Sequence, residues 1–247
     1  MSKETNQSRR RFLAGPVQAL PAVVLTSSGL GATATALAQA DNTNTQTTAQ
    51  KYMPVFFHED EWQFIQSAVD LLIPEDEHGP GAIAAYVPEF IDRQMETPYA
   101  YGKLWYMEGP FDPDLMKTVP ELGWQSSMTP RDVYRSGIAE LNRYCHTQYS
   151  KNFSALDKET QTGVLKDLET QKIVFPEDAV YSQTFFNQLL NNTREGFFAD
   201  PMYGGNKNMV GWKMVGFPGA RADFTDWIGQ HNARYPYGPV SIKGETA

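Results

Sequence analysis

Four histidines, one cysteine and a few close acidic pairs are the side chains of this 247-residue chain that could act as ligands, nucleophiles or proton carriers. A zinc site needs His, Cys or carboxylate ligands at short, repeated spacings, and His58, His78, His146 and His231 are scattered without such spacing. Cys145 is alone, so it cannot close an internal disulfide or hold an iron–sulfur cluster. No C-x-x-C-H attaches a haem covalently, and no G-x-S-x-G elbow presents a serine nucleophile. Asp223 and Asp226 are an acid pair that could serve an enzyme, but at this spacing such pairs are more often turn caps or solvated charges. The glycines at 204, 205, 211, 216 and 219 neither follow a strand pattern nor spell G-x-G-x-x-G, so they do not predict a dinucleotide cradle.

What remains at those glycines is a surface chemistry. From Gly211 to Gly219 they alternate with Trp212, Met214, Phe217 and Pro218 in a segment too apolar for a solvated linker and too rich in glycine for a helix. Met202 to Asn206 before it is a turn of residues that tolerate positive φ. Such a segment can lay its backbone against another surface while Trp212 and Phe217 act as anchors. The bland alternative is a glycine-rich loop buried in its own domain. Cys145 also has two readings. On a helical stripe it is a small buried hydrophobe, and in an oxidising compartment an odd cysteine pairs with another chain. His146 faces elsewhere on that helix and is not its partner.

The N-terminus speaks to location. Ser8-Arg9-Arg10-Arg11-Phe12-Leu13 precedes a mild apolar run diluted by Pro16 and Pro21, which closes on small-x-small patterns at Ala36, Ala38 and Ala40. Arg9, Arg10, Phe12 and Leu13 resemble the twin-arginine export signal, with cleavage after Ala38 or Ala40. A retained membrane anchor or a disordered basic arm is the alternative. Residues 1–40 are therefore set aside as a signal, 41–51 read as a flexible Thr/Asn/Gln linker, and 52–247 as the folded body. The whole chain carries −8, and the first 40 residues carry +3, which leaves −11 on the rest. An acidic body of this size argues against nucleic acid and against an anionic membrane surface.

The elements that position these residues are helical. Glu59 to Ile73 places Trp62, Ile65, Val69, Leu72 and Ile73 on one face and stops at Pro74; its acidic first turn suits the helix dipole. Pro88 to Met95 reads as a second helix with Phe90, Ile91 and Met95 on one face. Thr129-Pro130-Arg131-Asp132 is a capping box opening a helix to about Gln148, with Tyr134, Ile138, Leu141 and Cys145 as its buried stripe. Ser154 or Asp157 caps another through Thr170, and Ala179 to Phe198 forms the last long helix. Thr97 to Met128 has no period; with Tyr99, Tyr101, Trp105, Tyr106, Phe111 and Trp124 it either folds over its own core or faces a partner. No segment alternates with period two, so the fold class is mainly α: an irregular helical single domain with long aromatic and glycine-rich loops.

F-F-N-x-L-L-x-N-T-x-E-G-F-F-A-D-P-x-Y-G-G-N at Phe185 to Asn206 and G-W-K-x-x-G-F-P-G-A-R at Gly211 to Arg221 resemble the gluconate 2-dehydrogenase subunit 3 family. Ala68 to Pro74, Gly79 to Ala82 and Phe90 to Gln94 add to the resemblance. It implies a non-catalytic small (gamma) subunit that carries no cofactor and no catalytic residue. It implies a large partner subunit that binds FAD and oxidises gluconate, and a multihaem cytochrome c subunit that passes electrons to quinone. It also implies export of the folded pair to the periplasmic face of the inner membrane. Sorbitol, 2-ketogluconate, fructose and glucose dehydrogenases are alternative settings for the same role; an independent periplasmic binding protein or enzyme is an alternative of another class. The expected partner-interface residues are Trp212, Phe217, Pro218 and Tyr203, with Trp105 from the aromatic stretch.

Overall fold

The computed structural model describes residues 52–112, 114–176 and 180–247. The signal at 1–40, with Arg9, Arg10, Phe12, Leu13, Ala38 and Ala40, and the linker at 41–51 lie outside the described residues. The described body is helical, with α1 at Glu59–Leu72, α2 at Val87–Gln94, a short α3 at Leu115–Thr118, α4 at Pro130–Tyr149, α5 at Lys158–Glu169, α6 at Ser182–Phe198 and α7 at Val210–Val215. Among the described residues there is no strand, only isolated bridges. None of their helices is long and apolar enough to cross a membrane.

Local sequence explains three of these starts. At α4 both halves of the capping box form: the Thr129 N–H donates to Asp132 at 2.9 Å, and Thr129 Oγ1 accepts from the Asp132 N–H. At α1 the Glu61 carboxylate reaches back to the His58 N–H at 2.8 Å. Asp157, rather than Ser154, caps α5 by accepting from the Thr160 N–H; Ser154 lies in a separate 3-10 turn, Phe153–Ala155.

Helix α6 is the central element and touches α1, α2, α4, α5 and α7. At its heart sits Phe185, fully buried, with ring centroids 5.9 Å from Phe64, 6.3 Å from Tyr134 and 6.3 Å from Phe175. The expected stripe Tyr134, Ile138, Leu141 and Cys145 on α4 is buried against it, as are Val164, Leu165 and Leu168 of α5. Removing such a ring costs about 3–5 kcal/mol, because the cavity left behind cannot fully collapse.

One buried charge organises the entry of the chain. Asp92 of α2 is fully enclosed, and its carboxylate accepts from the backbone N–H groups of Val55, Phe56 and Phe57 at 2.7, 3.0 and 3.0 Å and from the Tyr52 hydroxyl at 2.7 Å. Three adjacent N–H groups aimed at one carboxylate compensate its removal from water. The Arg131 and Arg135 guanidinium groups cover the Phe56 ring at 4.5 and 4.2 Å, and Arg135 pairs with Glu61. The segment Tyr52 to Phe57 is thus strapped across α2 and α4.

The aromatic stretch Thr97 to Met128 divides between its two expectations. Tyr99, Trp124 and Met128 pack on the core, whereas Leu104, Tyr106 and Leu122 face solvent, Tyr106 at 73% exposure.

Candidate partner interface

The signature motif begins where α6 ends. Asp200 stops the helix: its carboxylate takes the Met202 N–H at 3.0 Å and, from the far end of the chain, the Ile242 N–H at 2.7 Å. Asn206, fully buried and in the left-handed region at φ 46°, joins the two sides of the turn. Its Nδ2 donates to the Ala199 carbonyl at 2.9 Å, and its Oδ1 accepts from the Gly211 N–H at 2.8 Å. Side-chain amides that pair with backbone in this way satisfy buried polar groups that irregular chain would otherwise leave without partners.

The glycines have a steric reason. A Cβ on Gly205 would lie 2.2 Å from the Gly196 carbonyl oxygen, and one on Gly211 would lie 2.2 Å from that of Phe197. The block therefore folds down onto the last turn of α6, backbone against backbone. This corrects the expectation that Gly211 onward avoids helix. Val210–Val215 is α7, because burial of Gly211 against α6 outweighs the roughly 1 kcal/mol propensity cost of a helical glycine. Gly216, at φ 70°, ends α7 in the left-handed conformation that suits glycine.

The expected interface residues separate accordingly. Trp212 is only 6% exposed, and its indole N–H donates to the Phe198 carbonyl at 2.7 Å. It is internal support and not an outward anchor, since its ring and its one donor are both used within this chain. Phe217 is 47% exposed and leans edge-on against Trp212 at 5.2 Å. Tyr203 is exposed and Pro218 half-buried. Phe198, Met202, Met214 and Val215, also exposed, add apolar surface from α6, from the turn after it and from α7. Trp105 is elsewhere: its ring neighbours are Tyr99 and Trp124, at 5.8 and 6.3 Å, and its indole N–H meets the Met107 sulfur.

A feature the sequence reading passed over lies just after the motif. Gly219 and Val240 form a parallel bridge, closed by the Val240 N–H on Pro218 and the Ala220 N–H on Val240. Between them the chain makes an extended loop in which Trp227, Tyr235 and Tyr237 meet at 5.3 to 6.4 Å and Phe224 meets Tyr235 at 5.6 Å. The Arg221 guanidinium lies over Tyr235 and Tyr237 and donates to the Gly238 carbonyl. Ile228 and Tyr237 remain 74% and 60% exposed. The density of rings from Phe224 to Tyr237 was the available signal.

The residues weighed for chemistry are mostly structural. Asp223 caps a turn by accepting from the Thr225 N–H at 3.0 Å, and that bond holds its carboxyl below the usual range; Asp226 is exposed beside it. Among the described residues no three His, Cys, Asp or Glu side chains are grouped to hold a metal. Cys145 is free and fully buried, and burial pushes its thiol up to about 11. In this structure it is a core residue. A cleft of about 640 Å³ is bordered by Arg93, Lys207 and Lys213 and by residues 245–247.

Comparison with protein families matches residues 59–219 to the family described as Gluconate 2-dehydrogenase subunit 3. Neither the curated proteins nor the solved structures contain a match to the chain. The matched segment takes in α1 through the signature block, including the Asp200, Asn206 and Trp212 contacts that fold it. The chain belongs to the gluconate 2-dehydrogenase subunit 3 family.

Proposed function

We propose that this chain is the non-catalytic small subunit of an exported, FAD-dependent gluconate 2-dehydrogenase. It binds the FAD-containing large subunit, supplies the twin-arginine signal at Arg9 and Arg10, and carries the folded partner to the periplasmic face of the inner membrane. The large subunit oxidises gluconate, and a multihaem cytochrome c subunit takes the electrons to quinone. FAD and haem c belong to those partners.

The observation that supports this most is the exposure of Phe198, Met202, Tyr203, Val215 and Phe217 on a signature block whose backbone is locked by buried polar contacts. Preorganised aromatic anchors lose little side-chain freedom on binding, which favours affinity. Beside it, the ring-rich loop closed by Gly219 and Val240 extends the same kind of surface. The chain's contribution is binding energy and address, not bond-making.

The export half of the proposal has its own test. Arg9→Lys with Arg10→Lys should leave both this chain and the flavin-dependent gluconate activity in the cytoplasm. Export of the flavoprotein at the normal level in that variant would refute the escort role.

A further inference from the structure

Helix α6 carries a polar stripe whose inner members are tied into the core and whose outer members are not. Thr184, Asn187, Gln188, Asn191, Asn192 and Glu195 recur at three- and four-residue steps, so they share one face over about 16 Å of helix. Facing them are the rings of Tyr99, Trp105 and Trp124, and the two walls enclose a groove of about 310 Å³. That volume falls at the lower end of the range of about 300–1,000 Å³ for small-molecule sites.

The floor is built and the rim is free. Asn192 is buried; it accepts from the Tyr134 hydroxyl at 3.0 Å and donates to the Tyr99 hydroxyl at 3.2 Å and to Glu195 at 2.8 Å. Gln188 spends one amide N–H on the Pro130 carbonyl. The side chains of Thr184, Asn187 and Asn191 have no hydrogen-bond partner among the described residues, and the two asparagines are exposed at the mouth. Both indole N–H groups are taken within the chain, that of Trp105 by Met107 and that of Trp124 by the Met128 carbonyl at 3.1 Å. What the tryptophans offer the groove is ring surface. What α6 offers is paired donors and acceptors.

We propose that this groove binds a neutral polyhydroxy compound, a sugar or sugar alcohol. Its C–H bonds would lie on the ring wall and its hydroxyls on the amides. A flat heteroaromatic ligand fits less well, because the successive rings meet at 69° and 58° and form no parallel slot. An anion is disfavoured because the charged residue lining the groove is the Glu195 carboxylate. A proline-rich peptide would use the rings but would leave the amide stripe without its match. The site goes beyond the subunit's proposed role, since it belongs to this chain and needs no partner.

The test uses the purified full-length chain and its own tryptophan emission, titrated with D-glucose, sorbitol and gluconate. The expected result is a saturable change with glucose or sorbitol, at a dissociation constant on the order of 1 mM, and weaker binding of gluconate. Asn187→Ala with Asn191→Ala should weaken it at least about tenfold while leaving the melting temperature unchanged, because both residues are exposed. Glu195→Gln should narrow the gap between glucose and gluconate. Phe217→Ala should bind polyols normally while losing the large subunit, which separates this site from the partner surface. Absence of a saturable response to either neutral polyol would overturn the proposal. So would an undiminished response in the double asparagine variant, or a response to a proline-rich peptide alone.

Discussion

The indole N–H of Trp212 donates to the carbonyl oxygen of Phe198, the last residue of α6, at 2.7 Å. That carbonyl lies in the last turn of the helix, where no intrahelical donor remains, so the bond both satisfies the helix end and fixes α7 beside it. The two large aromatics of the signature block thereby take different tasks. Trp212→Ala should cost about 3–5 kcal/mol in urea unfolding, and Trp212→Phe about 1 kcal/mol for the lost hydrogen bond. Phe217→Ala should change stability by less than about 1 kcal/mol yet weaken binding of the large subunit at least about tenfold, read by interferometry. Equal effects of Trp212→Ala and Phe217→Ala on unfolding would show that Phe217 is also internal.

Glycines of the same type should respond with opposite signs. At Gly211 a methyl group would strike the Phe197 carbonyl oxygen, which is backbone and cannot swing aside. Gly163, inside α5, has open space at the Cβ position. Gly211→Ala should destabilise the chain by more than about 2 kcal/mol. Gly163→Ala should stabilise it by about 0.5–1 kcal/mol, through helix propensity alone. Thermal melts of both variants check the pair.

Asp92 and the strap Tyr52 to Phe57 form one unit. Asp92→Ala leaves three backbone N–H groups and the Tyr52 hydroxyl without their acceptor, which should cost about 3–5 kcal/mol. Amide exchange should then rise at Val55, Phe56 and Phe57 well before it rises in α4. Unchanged protection of those three amides in the variant would show that the strap is held by the Phe56 ring and its arginines instead.

Much of the fold can be read from the chain. Thr129, Pro130 and Asp132 announce the start of α4, and Tyr134, Ile138, Leu141 and Cys145 announce its buried face, because caps and period are local. Apolar counting misses the buried polar residues. Asp92, Asn192, Asp200 and Asn206 look like solvent-facing residues until distant backbone donors are brought to them. The same limit hides α7. Gly211 reads as a helix breaker, and only the proximity of α6 turns it into a contact. It also explains Trp212, whose type suits either an interface or a core and whose direction is decided by a carbonyl fourteen residues earlier. The residues near Asn187 and Asn191 carry no sequence signal of a groove, since the opposing rings of Tyr99, Trp105 and Trp124 lie far away along the chain.

Cys145 gives a pH dependence with a definite sign. Its thiol is pushed up to about 11 by burial, whereas an unfolded thiol ionises at about 8.5. The native state therefore keeps its proton where the unfolded chain has lost it. The resulting stabilisation is complete below about pH 8.5 and is lost as pH rises towards about 11. Cys145→Ala should flatten that part of the alkaline loss in a series of urea melts. In the native protein, iodoacetamide should label Cys145 only after denaturation, and a non-reducing gel should show no interchain crosslink. A crosslink in the native complex would contradict the buried assignment.

The central claim is that this chain works by holding a flavoprotein. Its most direct measurement is size-exclusion chromatography of the tagged full chain, captured from membranes of cells that express the whole complex, with flavin absorbance and gluconate oxidation followed across the column. The account predicts that flavin, activity and this chain elute together, and that Phe217→Ala moves the chain to a later, flavin-free position. Elution of the wild-type chain as a monomer, with flavin and gluconate oxidation in a separate fraction, would contradict it.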